Sequence, residues 1–459
     1  CFYWSNLEET EFMKSYQIYW LLALLTFTGC SRDDAGNNSD GSPTNNPSNP
    51  IDNTNPPNIL LIIADDMGLD ATPGYSVGTS MPNMPNLEML MNSGVRFNNV
   101  WSNPVCTPTR ATILTGKYGL RTNVITVGDV LSTSETSIFD LMNTNAPDYS
   151  HAVVGKWHLS TDPTHPTSMG VDYFAGLLAG GVQSYTNWNL TENGQTNNTT
   201  EYSTTKFTDL AIDWVDIQTD PWFLWLAYNA PHTPFHLPPV DLHSQGNLPT
   251  DEASIEATPL PYYQAMIEAM DSEIGRLLES MSEDERDNTV IIFVGDNGTP
   301  NQVVQTYNSN RAKGSIYQGG VNVPMVISGK NVSRTNETDY TLINTTDLFA
   351  TIADISGASI SNPRDSHSFI DALTSNNFEG RGFVYTEKYN TQSQGADYTI
   401  RNSTHKYIYF NNGNEALYNL SANPFEFPNL LNANQLPLSA SDSSEKASLI
   451  NELSIIRQD

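Results

Sequence analysis

The sequence predicts an α/β protein with a large, mostly parallel sheet flanked by helices and a smaller C-terminal α+β domain. Three stretches consist almost wholly of apolar residues, which is typical of strands buried on both faces of a parallel sheet: Ile59–Ile63, Trp222–Tyr228 and Thr289–Val294. The amphipathic segment Tyr262–Met281 predicts a helix that covers this sheet. Because this helix precedes the last of the three strands, a parallel crossover is favoured over a hairpin.

Residues 1–30 predict an export signal. Their apolar run, Ile18–Leu25, is too short to span a bilayer as a permanent helix. The run is followed by FTGC at 27–30, which resembles a bacterial lipoprotein cleavage site with lipid on Cys30; the alternative is an ordinary secretory signal that is cut nearby. We expect an exported bacterial lipoprotein of the periplasm, the outer membrane or the cell surface.

Residues 31–57 are rich in Asn, Ser, Asp, Pro and Gly, which predicts a flexible linker. The main domain is then expected at 58–370 and a small C-terminal domain at 371–459. The chain holds 51 acidic and 21 basic residues, a formal net charge of −30. This charge argues against nucleic acid and anionic membranes as partners, so membrane contact is expected only through the lipid anchor. An anionic substrate would have to be attracted by a few clustered cations.

The first strand, Ile59–Ile63, leads directly into Asp65 and Asp66. Two adjacent carboxylates at a strand end repel one another unless a cation lies between them. The alternative is a polar turn in which one aspartate caps the next helix.

A second strand, Val95–Trp101, leads to Cys106, which should lie just before a short helix that ends at Gly116. Pro108 suits the first helical turn, and Arg110 lies on the same helical face as Cys106. A helix N-terminus favours an anion at Cys106. The alternative is a buried cysteine with a surface arginine. If Cys1 is removed with the signal and Cys30 carries lipid, Cys106 is the only free thiol of the mature protein.

The third short strand, His151–Val154, is followed by Lys156 and His158, which point to the same side in extended geometry. Together they could hold an anion; the alternative is an exposed loop pair. Residues 160–205 predict long loops or a lid, and their Tyr185 and Trp188 could stack on a sugar or pack in the core.

Further polar residues follow the later strands. His232, in a loop stiffened by prolines on both sides, comes after Trp222–Tyr228. Asp296 and Asn297 come after Thr289–Val294, where the sequence DNG alone would predict only a turn. Lys313 then precedes a strand near Val323–Ile327.

The C-terminal domain is predicted from alternating strands. The expected elements are strands at Phe383–Glu387, Asp397–Arg401 and Tyr407–Phe410 and a terminal helix at Ser443–Arg457, whereas a helix predicted at Thr345–Ser356 still belongs to the main domain.

Because the carboxyl ends of parallel strands meet at one edge of a sheet, these polar residues are expected to converge there. One group offers only oxygen ligands, which suits a hard divalent cation such as Ca²⁺ and disfavours zinc. That group is Asp65, Asp66, Asp296 and Asn297. A second group suits a tetrahedral oxyanion. That group is Arg110, Lys156, His158, His232 and Lys313.

The chain resembles the type I sulfatases of the alkaline-phosphatase-like superfamily from Asn58 to about Leu431. The matching stretches are IADDMG, CTPTRATILTG, GKWH, PHTPFHLP, GDNG, RAKGSIYQGGVNVP and ALYNLSANPFEFPNL. Thr109 stands where many members have Ser or Ala, and Gln318 stands where the usual sequence has Glu. The resemblance implies a large mixed, mostly parallel sheet and a catalytic domain at 58–370.

The resemblance also implies the roles of the site residues. A maturation enzyme would convert Cys106 to formylglycine, whose hydrate is the nucleophile. Asp65, Asp66, Asp296, Asn297 and residue 106 would bind Ca²⁺, rather than Mg²⁺. Arg110 would position the hydrate, while Lys156, His158 and Lys313 would bind sulfate oxygens. His232, with Lys313, would protonate the leaving alcohol.

The predicted function is therefore removal of sulfate from a sulfated oligo- or polysaccharide. One alternative is a phosphonate or phosphate ester hydrolase of the same superfamily. The other is a non-catalytic carbohydrate-binding lipoprotein whose Cys106 is never matured. The sequence contains no motif that identifies the sugar.

Overall fold

The computed structural model describes residues 56–358, 360, 365–390 and 394–458. The export signal predicted at 1–30, and all but the last two residues of the linker predicted at 31–57, lie outside the described residues and stay predictions. Among the described helices, none has the length and apolar character needed to cross a membrane.

A large mixed sheet lies at the centre of the protein. In chain order its strands are β1 (Asn58–Ala64), β2 (Gly94–Trp101), β3 (Ser150–Lys156), β4 (Tyr173–Leu177), β5 (Trp188–Glu192), β6 (Gln195–Thr199), β7 (Trp222–Ala227), β8 (Thr289–Gly295), β9 (Asn322–Gly329), β10 (Glu337–Asp339) and β11 (Ile343–Asn344). Within the described ranges, the order across the sheet is β10-β2-β9-β8-β1-β7-β3-β4-β5-β6, and β11 pairs with β2. Strands β8, β1, β7, β3 and β4 are parallel neighbours, whereas β9 runs antiparallel to β8 and β2. The predicted mixed, mostly parallel sheet is confirmed.

Helices cover both faces of this sheet. In chain order they are α1 (Pro85–Ser93), α2 (Cys106–Thr115), α3 (Gly119–Thr122), α4 (Ile138–Asn145), α5 (His165–Ser168), α6 (Ser203–Val215), α7 (Glu252–Ala257), α8 (Pro259–Ser280), α9 (Glu283–Asp287), α10 (Gln318–Val321), α11 (Asp347–Ser356) and α12 (Ala440–Gln458). Short 3₁₀ turns lie at Leu69–Ala71, Ser309–Arg311 and Ile370–Leu373.

The central strand β1 shows why its sequence is apolar throughout. Leu60 and Ile62 pack into a core with α1, α6 and α8, whereas Leu61 and Ile63 pack into a second core with α2, α4 and α11. Each such side chain stabilises the fold by roughly 1.5–3 kcal/mol relative to an exposed one. Burial on both faces fixes the strand and hence the position of the residues that follow it.

A small antiparallel sheet follows in the C-terminal part. Its strands are β12 (Val384–Asn390), β13 (Gly395–Arg401), β14 (His405–Tyr409) and β15 (Glu415–Asn419). Helix α12 packs Leu449 and Leu453 into the core beside this sheet. The predicted antiparallel strands and terminal helix are present, while the domain boundary at residue 370 stays a prediction.

The prediction of long loops over 160–205 is wrong. Strands β4, β5 and β6 and the start of α6 lie in this stretch. Asn193 and Gly194 join β5 to β6 with positive φ angles of 45° and 81°. An Asn-Gly pair of this kind is a strong hairpin signal, but β6 is largely exposed and lacks the apolar alternation that reveals a strand.

Candidate active site

The polar residues predicted to converge come together at the carboxyl ends of the parallel strands. Asp65 and Asp66 follow β1, Lys156 ends β3, His232 follows β7, and Asp296 follows β8. The side chains of Asp65 and Asp66 lie in the interior. The two aspartates do lie in a turn, as the alternative expected, but neither caps the 3₁₀ turn that follows at Leu69–Ala71, whose N-cap residue is Gly68.

The acidic residues form a connected cluster. Oδ1 of Asp296 accepts a hydrogen bond of 3.1 Å from the backbone N–H of Asp66, and Nδ2 of Asn297 donates one of 2.8 Å to Oδ1 of Asp66. Within the part of the chain that the structure describes, Oδ1 of Asp65 and Oδ1 of Asn297 are buried and have no hydrogen-bond partner. Two orphaned acceptors in one buried cluster indicate a position for a cation.

Two lysines neutralise this cluster. Nζ of Lys156 lies 2.5 Å from Oδ2 of Asp65, and Nζ of Lys313 lies 2.5 Å from Oδ2 of Asp66. Burial opposes ionisation of Asp65, but the surrounding positive charges, of which the Lys156 ammonium acts most strongly, together outweigh it and lower the pKa of that carboxyl. Likewise, burial opposes the charge on Lys313, yet Asp66 raises the pKa of its ammonium. Both lysines are therefore charged.

Arg110 is fully buried, so its interpretation as a surface arginine is wrong. One terminal nitrogen donates to the carbonyl of Lys156 at 2.7 Å, and the other lies 2.8 Å from Oδ2 of Asp296. Burial, followed by the nearby Asp65 carboxylate, raises the pKa of Asp296 to about 7. Arg110 thus ties the acidic cluster to strand β3.

Cys106 is the first residue of α2, not the residue before it as predicted. The preceding Val105 has extended backbone and no side-chain cap, so N–H groups of the first turn remain available to an anion. Sγ of Cys106 lies 3.2 Å from Nδ1 of His158. Because Cys106 is buried, the pKa of its thiol is raised, which disfavours the thiolate form that acts as a nucleophile.

His158 lies against the first turn of α2. Its Nδ1 faces Cys106, and its Nε2 lies 3.2 Å from Oγ1 of Thr107. Burial, reinforced by the Lys156 ammonium, lowers the pKa of His158 to about 2, so the ring is neutral. The alternative of an exposed loop pair is wrong, because Lys156 and His158 are both buried.

His232 is held by its own loop. Nδ1 donates to the carbonyl of Thr233 at 2.7 Å, which leaves Nε2 directed toward the site, 3.8 Å from Oδ2 of Asp66. The side chains of His232 and Lys313 are 19% and 22% exposed, whereas those of Lys156 and Asp65 are fully buried. His232 and Lys313 therefore mark the side from which solvent and ligands reach the site.

Two site residues have strained backbones. Asp66 and His158 have φ angles of 72° and 57°, in the left-handed region that residues other than glycine rarely adopt. Such strain costs about 1–3 kcal/mol per residue and is concentrated at functional sites. The surrounding contacts thus hold both side chains in place against a local cost.

Sequence reasoning missed several supporting residues. A Cβ on Gly180 would lie 2.4 Å from Nε2 of His158, and one on Gly181 would lie 3.1 Å from Cε1 of His232. The hydroxyl of Tyr263 donates to the carbonyl of Asp66 at 2.7 Å. The Gly-Gly pair after a strand was the available signal for the first contact, while nothing local marked Tyr263.

Tyr185 and Trp188 belong to the core, so the sugar-stacking alternative is wrong. The Tyr185 hydroxyl donates to the carbonyls of Asn229 and His232 at 2.7 and 2.6 Å. Trp188 packs edge-on against Phe207, with ring centroids 5.1 Å apart. Both side chains stabilise the frame that presents His232.

The two departures from the common motif are structural. Oγ1 of Thr109 accepts from the backbone N–H of Asn103 at 3.0 Å. Oε1 of Gln318 accepts from the indole of Trp101 at 2.9 Å, and its backbone N–H donates to Glu426 at 2.9 Å. Each of these bonds fixes a backbone segment.

The donor set fits a hard divalent cation. One carboxylate oxygen each from Asp65 and Asp296 and Sγ of Cys106 lie within 4.8 Å of one another, and Asp66 adjoins them. With the free oxygen of Asn297, these donors are oxygens apart from the cysteine sulfur, which is the preference of Ca²⁺ or Mg²⁺. The residues present therefore fit the predicted cation.

Comparison with known proteins agrees with this arrangement. A family model described as Sulfatase matches residues 57–358. The uncharacterized sulfatase YdeN of Escherichia coli is 29% identical over 368 residues, which cover 67% of this chain and 64% of that protein. Arylsulfatase J of Mus musculus is 26% identical over 332 residues, which cover 67% of this chain and 54% of that protein. The chain thus spans less than two thirds of either relative.

The fold is also similar to solved structures. The crystal structure of Ps i-CgsB in complex with k-i-k-neocarrahexaose superposes with a TM-score of 0.73 at 25% identity. The match covers 87% of this chain and 93% of that one.

Proposed function

This chain belongs to the sulfatase family, whose model matches more than half of it, and on that premise we propose that it hydrolyses the sulfate ester of a sulfated saccharide. The nucleophile would be a formylglycine made from Cys106 by a maturation enzyme, and the cofactor would be Ca²⁺. The observation that carries the proposal is the buried acidic cluster with two unpartnered oxygens, next to Cys106 at the start of α2.

Each expected group has residues to hold it. A calcium ion held by Asp65, Asp66, Asp296 and Asn297 would supply positive charge against a sulfate oxygen. Formylglycine at residue 106 would supply an oxygen nucleophile through its hydrate. The unmodified thiol is a poor nucleophile here, because burial raises its pKa and disfavours the thiolate.

The chain's own residues then bind and orient the sulfate. The ammonium groups of Lys156 and Lys313 contact different carboxylates of the cluster, those of Asp65 and Asp66, and supply two charged donors to sulfate oxygens. Neutral His158 adds one ring N–H beside residue 106. Arg110 fixes Asp296 and the backbone of Lys156, so the donors are in place before substrate binds.

His232 supplies the proton for the leaving alcohol. Because Nδ1 donates to the carbonyl of Thr233, the ring is fixed and Nε2 is the nitrogen that faces the site; the acid is therefore the imidazolium, which gives its second proton from Nε2 to the leaving alcohol and keeps the one on Nδ1. His232 lies on the partly exposed side of the site, where the alcohol portion of the ester would enter. Lys313 is on the same side and would support the same role.

A saccharide substrate is supported by the likeness to Ps i-CgsB, a protein solved in complex with k-i-k-neocarrahexaose. Export as a lipoprotein would place the enzyme where such polymers are met. We propose this export on the sequence pattern of residues 1–30 described above.

The test measures maturation and turnover together. The protein is produced with and without a formylglycine-generating enzyme, and the mass of the peptide that carries residue 106 is determined. Turnover is assayed on nitrophenyl sulfate, nitrophenyl phosphate and sulfated saccharides. We expect sulfate release only from protein with the aldehyde mass, and none from Cys106→Ala. Full rates from an intact thiol, or from Cys106→Ala, would refute the proposed nucleophile.

A further inference from the structure

A groove of about 540 Å³ borders the loop that carries His232, and the next residue, Thr233, lines it. Its walls include Thr233 and Phe235 from the loop after β7, Gln302 from the loop after β8, and Ile255 from α7. Strands β7 and β8 lie on either side of β1, so both loops leave the same edge of the sheet as the site residues. The groove therefore lies at the same edge of the sheet as the site, and Thr233 in its wall directly follows His232 in the chain.

Packing connects the groove to the acidic cluster. The ring of Phe235 meets Tyr263 edge-on, with centroids 5.7 Å apart. The Tyr263 hydroxyl in turn donates to the carbonyl of Asp66 at 2.7 Å, and Lys313 binds the carboxylate of the same residue. A molecule that packs on Phe235 would thus be separated from the acidic cluster by the side chains of Phe235 and Tyr263, on the side that holds His232.

The lining suits a sugar ring. Phe235 and Ile255 provide apolar surface for the face of a pyranose, and Gln302 and the threonine side chains provide hydrogen-bonding groups for its hydroxyls. This mixture of apolar and hydrogen-bonding groups matches the apolar face and the hydroxyls of a pyranose.

The charged residues that line the groove are all acidic. Glu252 and Glu256 are exposed, four residues apart on α7, and both contribute to the groove wall. Among the described residues that line it there is no lysine, arginine or histidine. Two carboxylates without a counter-cation repel a further sulfate or a uronate, whereas Lys156 and Lys313 attract the sulfate that is to be cleaved.

We infer that this groove binds an uncharged sugar joined to the sulfated one and discriminates against a second sulfate on that neighbouring sugar. The inference rests on the proposed function and adds the substrate class: oligosaccharides in which a sulfated sugar is linked to a neutral one. Selectivity then comes from repulsion at Glu252 and Glu256 as well as from contact with Phe235.

The test compares two substrates that differ by one sulfate. The probes are N-acetyllactosamine sulfated on galactose alone and N-acetyllactosamine sulfated on both sugars. For the mature enzyme we expect kcat/KM to be about tenfold higher for the singly sulfated disaccharide, a ratio that shrinks as salt is added. Glu252→Gln combined with Glu256→Gln should bring the ratio close to one. A general loss of folding or chemistry lowers both rates together and leaves the ratio unchanged.

The matched control removes two carboxylates elsewhere. Glu279→Gln combined with Glu283→Gln changes exposed residues near the amino end of β8, away from the groove, and should keep the wild-type ratio. A ratio that is unchanged in the groove variant, or equally changed in the control, would overturn the inference.

A binding measurement keeps the inference separate from the proposed function. Calorimetric titration of unsulfated N-acetyllactosamine needs no turnover, and Phe235→Ala should weaken its binding about tenfold or more. If wild type hydrolyses no sulfate ester but this weakening is seen, the proposed function fails and the groove stands as a neutral-sugar site. Equal binding by wild type and Phe235→Ala would overturn the groove.

Discussion

Nδ2 of Asn297 donates a 2.8 Å hydrogen bond to Oδ1 of Asp66, and within the described residues this leaves Oδ1 of Asn297 buried without a partner. The amide therefore orients one carboxylate of the acidic cluster and offers its own oxygen to the same space. Loss of such a group typically reduces metal affinity about 10- to 100-fold.

Calcium should therefore stabilise wild type more than Asn297→Ala. Added Ca²⁺ in excess of its dissociation constant stabilises by about 2.7 kcal/mol at a hundredfold excess, so the melting temperature should rise and chelator should reverse the rise. In Asn297→Ala the same rise should need about 10–100 times more Ca²⁺. The exposed Asn187→Ala serves as the control and should titrate like wild type. Identical titrations for Asn297→Ala and wild type would contradict a role of Asn297 as ligand.

Gly180 sets the position of His158. A Cβ at Gly180 would lie 2.4 Å from Nε2 of that ring, a distance that no packed pair of atoms keeps. Gly180→Ala should displace the ring and lower kcat about a hundredfold, as misplacements of about 1 Å do. Because His158 is outside the oxygen cluster, Ca²⁺-dependent stabilisation should be retained.

A glycine with space around it provides the comparison. A Cβ at Gly382 meets nothing within 4 Å, so Gly382→Ala should leave kcat unchanged. Wild-type turnover in Gly180→Ala would show that the loop yields and that His158 needs no such support.

The sequence was sufficient to predict which side chains converge wherever a residue lies within a few positions after a strand that is apolar throughout. Burial on both faces of β1, β7 and β8 is visible as unbroken apolar runs, and parallel strands bring their carboxyl ends to one edge. The positions of Asp66, His232 and Asp296 could be predicted for this reason.

The contacts that support the site residues could not be predicted in the same way. Tyr263 lies on α8 and reaches Asp66 across 197 positions of sequence, so its hydroxyl carries no local signal. Gly180 meets His158 only because β4 lies beside β3 in the sheet. Such contacts depend on the order of the strands in the sheet, which the apolar patterns do not determine. The groove bordered by α7 could not be predicted for the same reason.

Loss of His232 should lower kcat more for a substrate with a poor leaving group than for one with a good leaving group. Nitrophenol leaves readily without a proton, whereas a sugar alcohol does not, and general acid catalysis contributes about 10²–10⁴ in rate. His232→Gln should therefore lower kcat on a sugar sulfate by roughly a hundredfold or more and on nitrophenyl sulfate by much less. His236→Gln changes a ring in the same loop that packs 4.2 Å from Tyr185, and any effect there should be equal on both substrates. Equal losses on both substrates in His232→Gln would exclude His232 as the acid.

Asp271 should make stability depend on pH away from the active site. Its carboxylate is buried and accepts the backbone N–H groups of Asn86 and Leu87, at 3.0 and 2.9 Å, in the first turn of α1. Burial, which outweighs these hydrogen bonds, raises the pKa of Asp271 from 3.8 to about 6. Because the folded pKa exceeds the unfolded one, the stabilisation linked to its proton is complete below the unfolded pKa. It is lost as the pH rises through the folded value.

Between about pH 5 and pH 7 this loss amounts to about 1–1.5 kcal/mol in the free energy of unfolding. Asp271→Asn keeps one acceptor oxygen and cannot titrate, so it should be less stable by a constant amount but should lack this part of the pH dependence. Urea unfolding at several pH values separates the constant loss from the slope. Glu279→Gln, an exposed change on the same helix α8, should follow the wild-type slope. Parallel pH profiles for Asp271→Asn and wild type would mean that Asp271 is ionised throughout this range.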